Sequence, residues 1–388
     1  MRFLHTSDWH IGKTLKGHSR LDEQTDVLRE IVGVARAERV DAVLIAGDLY
    51  DSGAPRAAAQ RLVVKTLLAL AGTGAQVVAI AGNHDHPNTL DAYRPLAEVA
   101  GITLVGSYRP AASGGLLSFT ARSTGEPVRL AVLPFLSQRY AVRAAELVSG
   151  TPGENAGKYD QLVRDVLAEL TDGFARDAVN LVMAHLTVTG GVFGGGERAA
   201  QSIFEYHVPA TAFPAHAHYV ALGHLHRRQS LPAPCPVHYC GSPLAVDFGE
   251  QDNIGVVCLV EAVPGLPAKV TDIPLRSGRR LRTLRGSVAE LAALNASDVG
   301  DALLRVYVRE PARAGLREQV LELLPNALEV RIDREFAAPV TGGRPTPSED
   351  GAAERTPGQL FAEYCTGQGV ADDRVAALFA RLHDEVTL

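Results

Sequence analysis

No run of eighteen apolar residues occurs in this chain of 388 residues, so no membrane-spanning helix is expected. The first residues, Met1 to Asp8, hold no long apolar stretch and no small-residue cleavage site. They read as an immediate strand rather than a signal peptide, which makes a cytoplasmic location the default expectation. Cysteine is scarce: Cys235, Cys240, Cys258 and Cys365 form no C-x-x-C pair. Cys235 and Cys240 flank His238, but structural zinc wants four ligands at tighter spacing, so reduced and partly buried thiols are expected. Positive charge is also short, with 38 Lys and Arg against 44 Asp and Glu, a net −6. A free-standing DNA-binding domain is usually basic, so this balance opposes strong nucleic-acid binding by the chain alone. Two divalent ions in a cleft would add four positive charges to that count. There is no internal repeat, and no complete Gly-x-x-x-x-Gly-Lys-Ser/Thr phosphate loop.

What is present is a globular composition, 46% apolar and 21% charged, in a chain long enough for two or three domains. The first hundred residues alternate strand and helix. Arg2 to Ser7, Ala42 to Ala46 and Gln76 to Ile80 read as strands; Leu21, Leu28, Ile31 and Ala35 recur at helical spacing; a second helix runs from about Arg56 to Leu70 with Pro55 at its start. This βαβαβ order predicts parallel strands with right-handed crossovers. Further on, Leu116–Ala121 and Val128–Leu133 read as a hairpin, and Tyr159 to Phe174 as a helix. Strands are expected at Leu181–Ala184, Tyr219–Leu222, Val237–Tyr239 and Ile254–Val260. The expected fold class is α/β (α+β), a two-sheet β core flanked by helices. A small α/β unit follows, with its own elements from near Pro274, then a Gly/Pro/Ser-rich linker and a helical tail. The expected division is 1–270, 271–340, 341–355 and 356–388. In the tail Thr356-Pro357-Gly358-Gln359 fits a capping box, and Asp372 caps a second helix carrying Val375, Leu378, Phe379, Leu382 and Val386.

Residues with metal-binding side chains gather at the ends of these strands. Asp8 and His10 follow the first, Asp48 the second, and Asn83 and His84 the third. His185 follows Ala184, and His224 and His226 follow Leu222. In α/β sheets ligands bind outside the carboxyl ends of the strands, so these residues are expected on one rim. Gly47, Gly82 and Gly223 precede three of the clusters and let the backbone turn close to an ion. Two ions about 3.5–4 Å apart need a ligand that touches both, which a carboxylate can be and a neutral imidazole cannot. Asp48 is the natural bridge. Mixed histidine, carboxylate and amide donors suit Mn2+ or Fe2+, with Zn2+ or Co2+ also compatible.

Asp8-x-His10, Gly47-Asp48, Gly82-Asn83-His84-Asp85, His185 and Gly223-His224-x-His226 resemble the motifs of the calcineurin-like metallophosphoesterases over roughly residues 1–260. More narrowly, His5-Thr6-Ser7-Asp8-Trp9-His10-Ile11-Gly12, Ala46-Gly47-Asp48-Leu49-Tyr50-Asp51, Ala221 to His226 and Tyr239-Cys240-Gly241-Ser242-Pro243 are similar to the SbcD family of nuclease subunits. That resemblance implies two divalent ions, Mn2+ first. One would be held by Asp8, His10, Asp48 and His226, the other by Asp48, Asn83, His185 and His224. It implies that His84 is the acid beside the leaving oxygen, with Asp85 orienting it, and that Asp51 lies near the site without being a ligand. It further implies 3′→5′ exonuclease and hairpin or single-strand endonuclease activity in DNA repair and recombination. The implied partners are an SbcC-like ATPase subunit, which would supply ATP dependence, a homodimer mate and DNA ends. A phosphatase acting on a small molecule or phosphoprotein is the alternative the metal motifs alone allow, and a silent end-binding scaffold is a third reading. The second unit and apolar tail favour the nuclease subunit.

Two other stretches stand out. Thr189 to Gly196 is glycine-rich without the context of a phosphate loop, and is expected to be a mobile loop beside the cleft; nothing in the sequence supports a substrate contact by Arg198. Arg276 to Arg285 is the densest basic stretch, and Arg279, Arg280 and Arg282 are its candidate contacts to the DNA backbone.

Overall fold

Arg2–Thr6 (β1), Ala42–Ile45 (β2) and Gln76–Ile80 (β3) are apolar on both faces, so each needs cover from both sides. The structure, a computed structural model, describes residues 1–136, 152–197, 207–294, 299–336 and 357–367, together with 375, 378 and 379. In it the three strands lie parallel, joined on one edge by Ile102–Val105 (β4) and on the other by two antiparallel strands. The second sheet contains Leu116–Thr120 (β5), Pro127–Leu133 (β6), Val179–His185 (β7), Tyr219–Gly223 (β8), Gln229–Leu231 (β9) and Val237–Tyr239 (β10). The antiparallel strands of the first sheet are Val256–Glu261 (β11) and Lys269–Pro274 (β12). The strand orders are β12-β11-β1-β2-β3-β4 and β9-β10-β8-β7-β6-β5. In the second sheet β6, β7, β8 and β10 run parallel, and β5 and β9 close the edges antiparallel.

The two sheets face each other through a core that includes Phe3, Leu44, Val78, Leu130, Met183 and Tyr219. The outer face of the first sheet is covered by helices Leu21–Ala37 (α1) and Ala57–Ala71 (α2), whose buried stripes hold Val27, Leu28, Ile31, Val63, Leu67 and Leu70. Helix Pro152–Thr171 (α4) covers the second sheet with Tyr159, Val163, Leu167 and Leu170. The arrangement is the four-layer α/β/β/α stack that the two-sheet reading anticipates. Helix α4 begins seven residues before the expected Tyr159. Helix Pro87–Val99 (α3) and β4 are additions to the expected elements. Helix α3 contains Pro95 and buries only Leu90, so its periodicity is faint.

Strand β12 straddles the expected division between 270 and 271, and its hydrogen bonds put its whole length on the first sheet. After it, Arg276 N and Ser277 N donate to Glu30, and Arg279 N to Glu23 Oε2 at 2.7 Å, pinning the connection along α1. Then come parallel strands Leu281–Gly286 (β13), Leu303–Val308 (β14) and Ala327–Ile332 (β15), with helices Val288–Ala292 (α5) and Leu316–Leu323 (α6). They enclose a core of their own around Leu304, Val306 and Val320. Helix α5 starts with a capping box between Ser287 and Glu290. In the tail Pro357–Gly367 is a helix (α7), and Phe361 stacks on Phe379 with ring centroids 4.0 Å apart. The expected linker at 341–355, Thr356 of the capping box, the Asp372 cap, Leu382, Val386 and Arg198 lie outside the described residues. Among the described residues no helix is long and apolar enough to cross a membrane.

Candidate metal centre

Parallel strands send their carboxyl ends the same way, and backbone bonds extend the β1–β2 pairing into the loops beyond. Asp8 N donates to Gly47 O and His10 N to Asp48 O, each at 3.0 Å. The same rim receives His185 from β7 and His224 and His226 from the loop after β8. Asp8, His10, Asp48 and His224 all adopt positive φ, at 53°, 45°, 53° and 101°. Such backbone is strained for non-glycine residues and collects at functional sites. Close approach also dictates two glycines: a Cβ on Gly82 would fall 2.1 Å from Asp48 Oδ1, and one on Gly47 would fall 2.2 Å from His185 Nδ1.

Asp48 sits at the middle. Its Oδ1 accepts from His84 N at 2.8 Å, while Oδ2 lies 3.6 Å from His10 Nε2 and 3.6 Å from His185 Nε2. On one side His10 Nε2 faces His226 Nε2 at 3.0 Å. There Asp8 has Oδ1 held by His224 N at 2.9 Å and Oδ2 by Ser7 Oγ at 2.6 Å. On the other side Asn83 Oδ1 meets His185 Nε2 at 2.9 Å and His224 Nδ1 at 2.8 Å. His185 Nδ1 donates to the Ala46 carbonyl, which turns the Nε2 lone pair inward. His10 Nδ1 is buried without a hydrogen-bond partner. Facing imidazole nitrogens and buried carboxylates, with acceptors converging on two points, fit divalent cations of intermediate softness. Ligand atoms of Asp8, His10 and His226, of Asp8, Asp48 and His185, and of His10, Asp48 and His84 lie within 4.8 Å of one another in each group.

The electrostatics agree. Burial, reinforced by the charges of Asp85 and Asp8, pushes Asp48 well above the carboxylate range. Burial also raises Asp8 to about 6 against the pull of His226. It lowers His10 and His185 well below the ordinary value, and His224 to about 4, with neighbouring histidines adding to each shift. These three rings stay neutral and ready to ligate. His226 is the exception: burial lowers it, but the Glu250 hydrogen bond and charge prevail and raise it to about 9. In the metal-free protein His226 therefore carries a proton that a cation on Nε2 must displace. Apparent cation affinity is expected to fall as pH drops below about 9, by about tenfold per pH unit for each displaced proton. Calorimetric titration in buffers of different ionisation enthalpy checks this, and binding that is flat from pH 9 to 7 with no proton release refutes it.

Several residues differ from the sequence expectation. Asp85 does not orient His84. Its carboxylate accepts from Leu49 N, Tyr50 N and Gly82 N at 3.1, 2.9 and 2.9 Å, so it ties two ligand loops together. The ring of His84 is instead set by Nδ1 on the Asp51 carbonyl at 2.8 Å, and lies edge-on to His10 with centroids 4.6 Å apart. Asp51 also pairs with Lys13 at 3.1 Å. Lys13 belongs to Gly12-Lys13-Thr14, which is no phosphate loop: Ser7 stands at its first glycine position and Thr14 opens a two-residue strand rather than a helix. The glycine-rich segment is held rather than loose over 192–197. Val192 N bonds Gln229, while Glu197 accepts from Gly194 N, Gly195 N and His226 N. Glu197, Glu250 and Phe135, whose ring is 6.2 Å from that of His185, were not singled out from sequence, because none adjoins a ligand motif. Cys235 and Cys240 are buried in different core clusters, and all four cysteines stand outside disulfides. Arg280 and Arg282 are exposed; the Arg279 guanidinium is bonded to the Asp301 carbonyl.

Comparison with known proteins points the same way. The family model for calcineurin-like phosphoesterase matches residues 1–228. The SbcD subunit of nuclease SbcCD from Bacillus subtilis is 40% identical over 287 residues, covering 72% of this chain and 71% of that protein. The protein of the same name from Rhodobacter capsulatus is 34% identical over 285 residues, covering 71% and 69%. The one from Escherichia coli K12 is 31% identical over 306 residues, covering 76% and 73%. With matches over this much of its length, the chain belongs to the calcineurin-like phosphoesterases and, among them, to the SbcD family of SbcCD nuclease subunits.

Proposed function

We propose that this phosphodiester hydrolase cuts DNA with Mn2+ as the cytoplasmic nuclease subunit of an ATP-driven complex with an SbcC-type partner. It would act 3′→5′ on duplex ends and endonucleolytically on hairpins and single strands. The observation that carries the chemistry is the Asp48 carboxylate, whose Oδ2 stands 3.6 Å from a histidine on each side. Asp8, His10, Asp48 and His226 would hold one cation, and Asp48, Asn83, His185 and His224 the other. When bound, the pair lowers the pKa of a water and neutralises charge on the phosphoryl oxygens. The chain's own part is positional. His84, with Nδ1 fixed on Asp51, turns its other nitrogen to the leaving sugar oxygen as general acid. Asp85 keeps the Asp48 and His84 loops in register, and Asp8 is oriented by Ser7 and His224 N.

The nuclease names of the relatives support a nucleic-acid substrate and a partner subunit. Exposed Leu360 and Tyr364 on α7 support docking of the tail on that partner, such as the base of a coiled coil. Helix α3, tied to α2 by the Tyr93 hydroxyl donating to Gln60, exposes Leu96 (76%) and Val99 (90%), an apolar patch that supports a homodimer. Exposed Arg280 and Arg282, with Arg279 beside them, supply candidate backbone contacts to DNA. One set of assays tests the reading: labelled hairpin DNA and Mn2+, with purified chain, with and without SbcC and ATP. Cleavage abolished by chelation and restored by Mn2+ is expected. Hydrolysis of an aryl phosphate alone would make the chain a phosphatase, and end binding without cleavage a scaffold. Truncation at Thr341 should lose SbcC while keeping DNA cleavage; retained association removes the tail from the proposal.

A further inference from the structure

The second unit meets the phosphoesterase body beside both segments that lead to one half of the metal centre. Leu281 and Leu303 pack against Leu15, five residues after His10, and against Phe248. Phe248 opens the single turn Phe248–Glu250, capped by Asp247, whose Oδ1 accepts from Gly249 N at 3.0 Å. From β14 of the second unit Arg305 lies over the Phe248 ring, 4.6 Å from its centroid, with Nη2 3.8 Å from Asp247 Oδ1. Glu329 holds that guanidinium in place through Nε at 2.7 Å. Two residues after Phe248, Glu250 is fully buried, with Oε2 accepting from Val246 N at 2.7 Å and Oε1 2.5 Å from His226 Nδ1. The glycine-rich segment closes over it so tightly that a Cβ on Gly196 would fall 2.0 Å from Glu250 Oε1.

We propose that Glu250 is a positioning residue for His226, and that the Asp247–Glu250 turn couples the seating of the second unit to the affinity of the cation site containing His226. A histidine ligand is aimed by whatever accepts its other N–H. Glu250 does this for His226, directing Nε2 at His10 Nε2. The interface residue Phe248 and that carboxylate stand at the two ends of one three-residue turn, so a tilt of Phe248 moves Glu250 with little slack. The other half of the centre is anchored differently: His185 donates to the Ala46 carbonyl, and Asn83 and His224 follow central strands of the two sheets. Re-seating the second unit, by DNA or by a partner, therefore tunes one cation of the pair and spares the other.

The inference rests on the two-cation reading and is tested by calorimetric titration of the full-length chain with Mn2+, which separates the two. Wild type is expected to bind two ions; failure to do so overturns the ligand assignment itself. Glu250→Gln, which leaves one acceptor oxygen for the two donors Val246 N and His226 Nδ1, should weaken one ion by about 10- to 100-fold, the usual range for mutating a partner of a ligating histidine, and spare the other. Arg305→Gln, outside the metal centre, should weaken the same ion by about 3- to 10-fold. His226→Ala identifies that ion, and adding Glu250→Gln to it should cost nothing further. Unchanged binding in Glu250→Gln, or equal weakening of both ions, overturns the positioning role. Unchanged binding in Arg305→Gln overturns the coupling, and that variant decides it even if Glu250→Gln fails to fold.

Discussion

Asp48→Asn should cost the nuclease activity, assayed with Mn2+, at least about a thousandfold, the several kcal/mol of charge stabilisation that a metal pair supplies, while making the metal-free protein more stable. Asparagine keeps Oδ1, and with it the 2.8 Å bond from His84 N, so the loop stays in place. What it replaces is Oδ2, the atom set between His10 and His185. An amide nitrogen there donates and does not bridge cations. The stability gain has the opposite origin. Burial, with Asp85 and Asp8 nearby, raises Asp48 well above its ordinary 3.8 in the folded chain. A raised carboxylate contributes its stability below the unfolded value and loses it as pH rises through the folded value. The advantage of asparagine therefore grows upward from pH 3.8 through that window. Melting curves with and without Mn2+ should cross: the variant melts higher under chelation, and wild type melts higher when loaded. Equal melting of the two metal-free proteins, or a variant that still cleaves normally, would count against Asp48 as the shared ligand.

His84→Ala should act on the other half of the reaction. A positioned general acid is worth about a hundred- to ten-thousandfold, so kcat on DNA should fall by that much. Both cations should still bind, because the backbone N–H that holds Asp48 is untouched. The decisive comparison is a substrate with an aryl leaving group that departs without a proton. If His84 donates the proton, the variant cleaves that ester nearly as fast as wild type. Loss of a cation instead would make His84 a ligand, a role its place within 4.8 Å of His10 and Asp48 donors keeps open to test.

The ligand set was legible because ligands at strand ends leave a double mark: an apolar run, then a metal-prone side chain. Asp8, Asp48, Asn83, His185 and His224 all carry it. The two-sheet core was legible for a similar reason, since strands buried on both faces are mostly apolar, as Ala42–Ile45 and Val256–Glu261 are. Helix α3 was not, because it shows most of its surface to solvent and has Pro95 inside. Glu250 was invisible because its importance is a contact 24 positions away in the chain, from an acidic residue in a nondescript turn. Asp85 shows the converse limit: adjacency to His84 suggested a pairing, but its side chain turns to the backbone of the neighbouring loop, a choice that depends on three-dimensional direction.

The centre also draws its donors from both layers of the fold. Asp8, His10, Asp48 and Asn83 rise from the first sheet, and His185, His224 and His226 from the second. Each cation in the proposed set takes donors from both, so the ions act as rivets through two plates made from distant parts of the chain. A newly made chain cannot be armed until its residues near 226 have emerged and joined those near 8. A nuclease built this way stays harmless while it is half-finished.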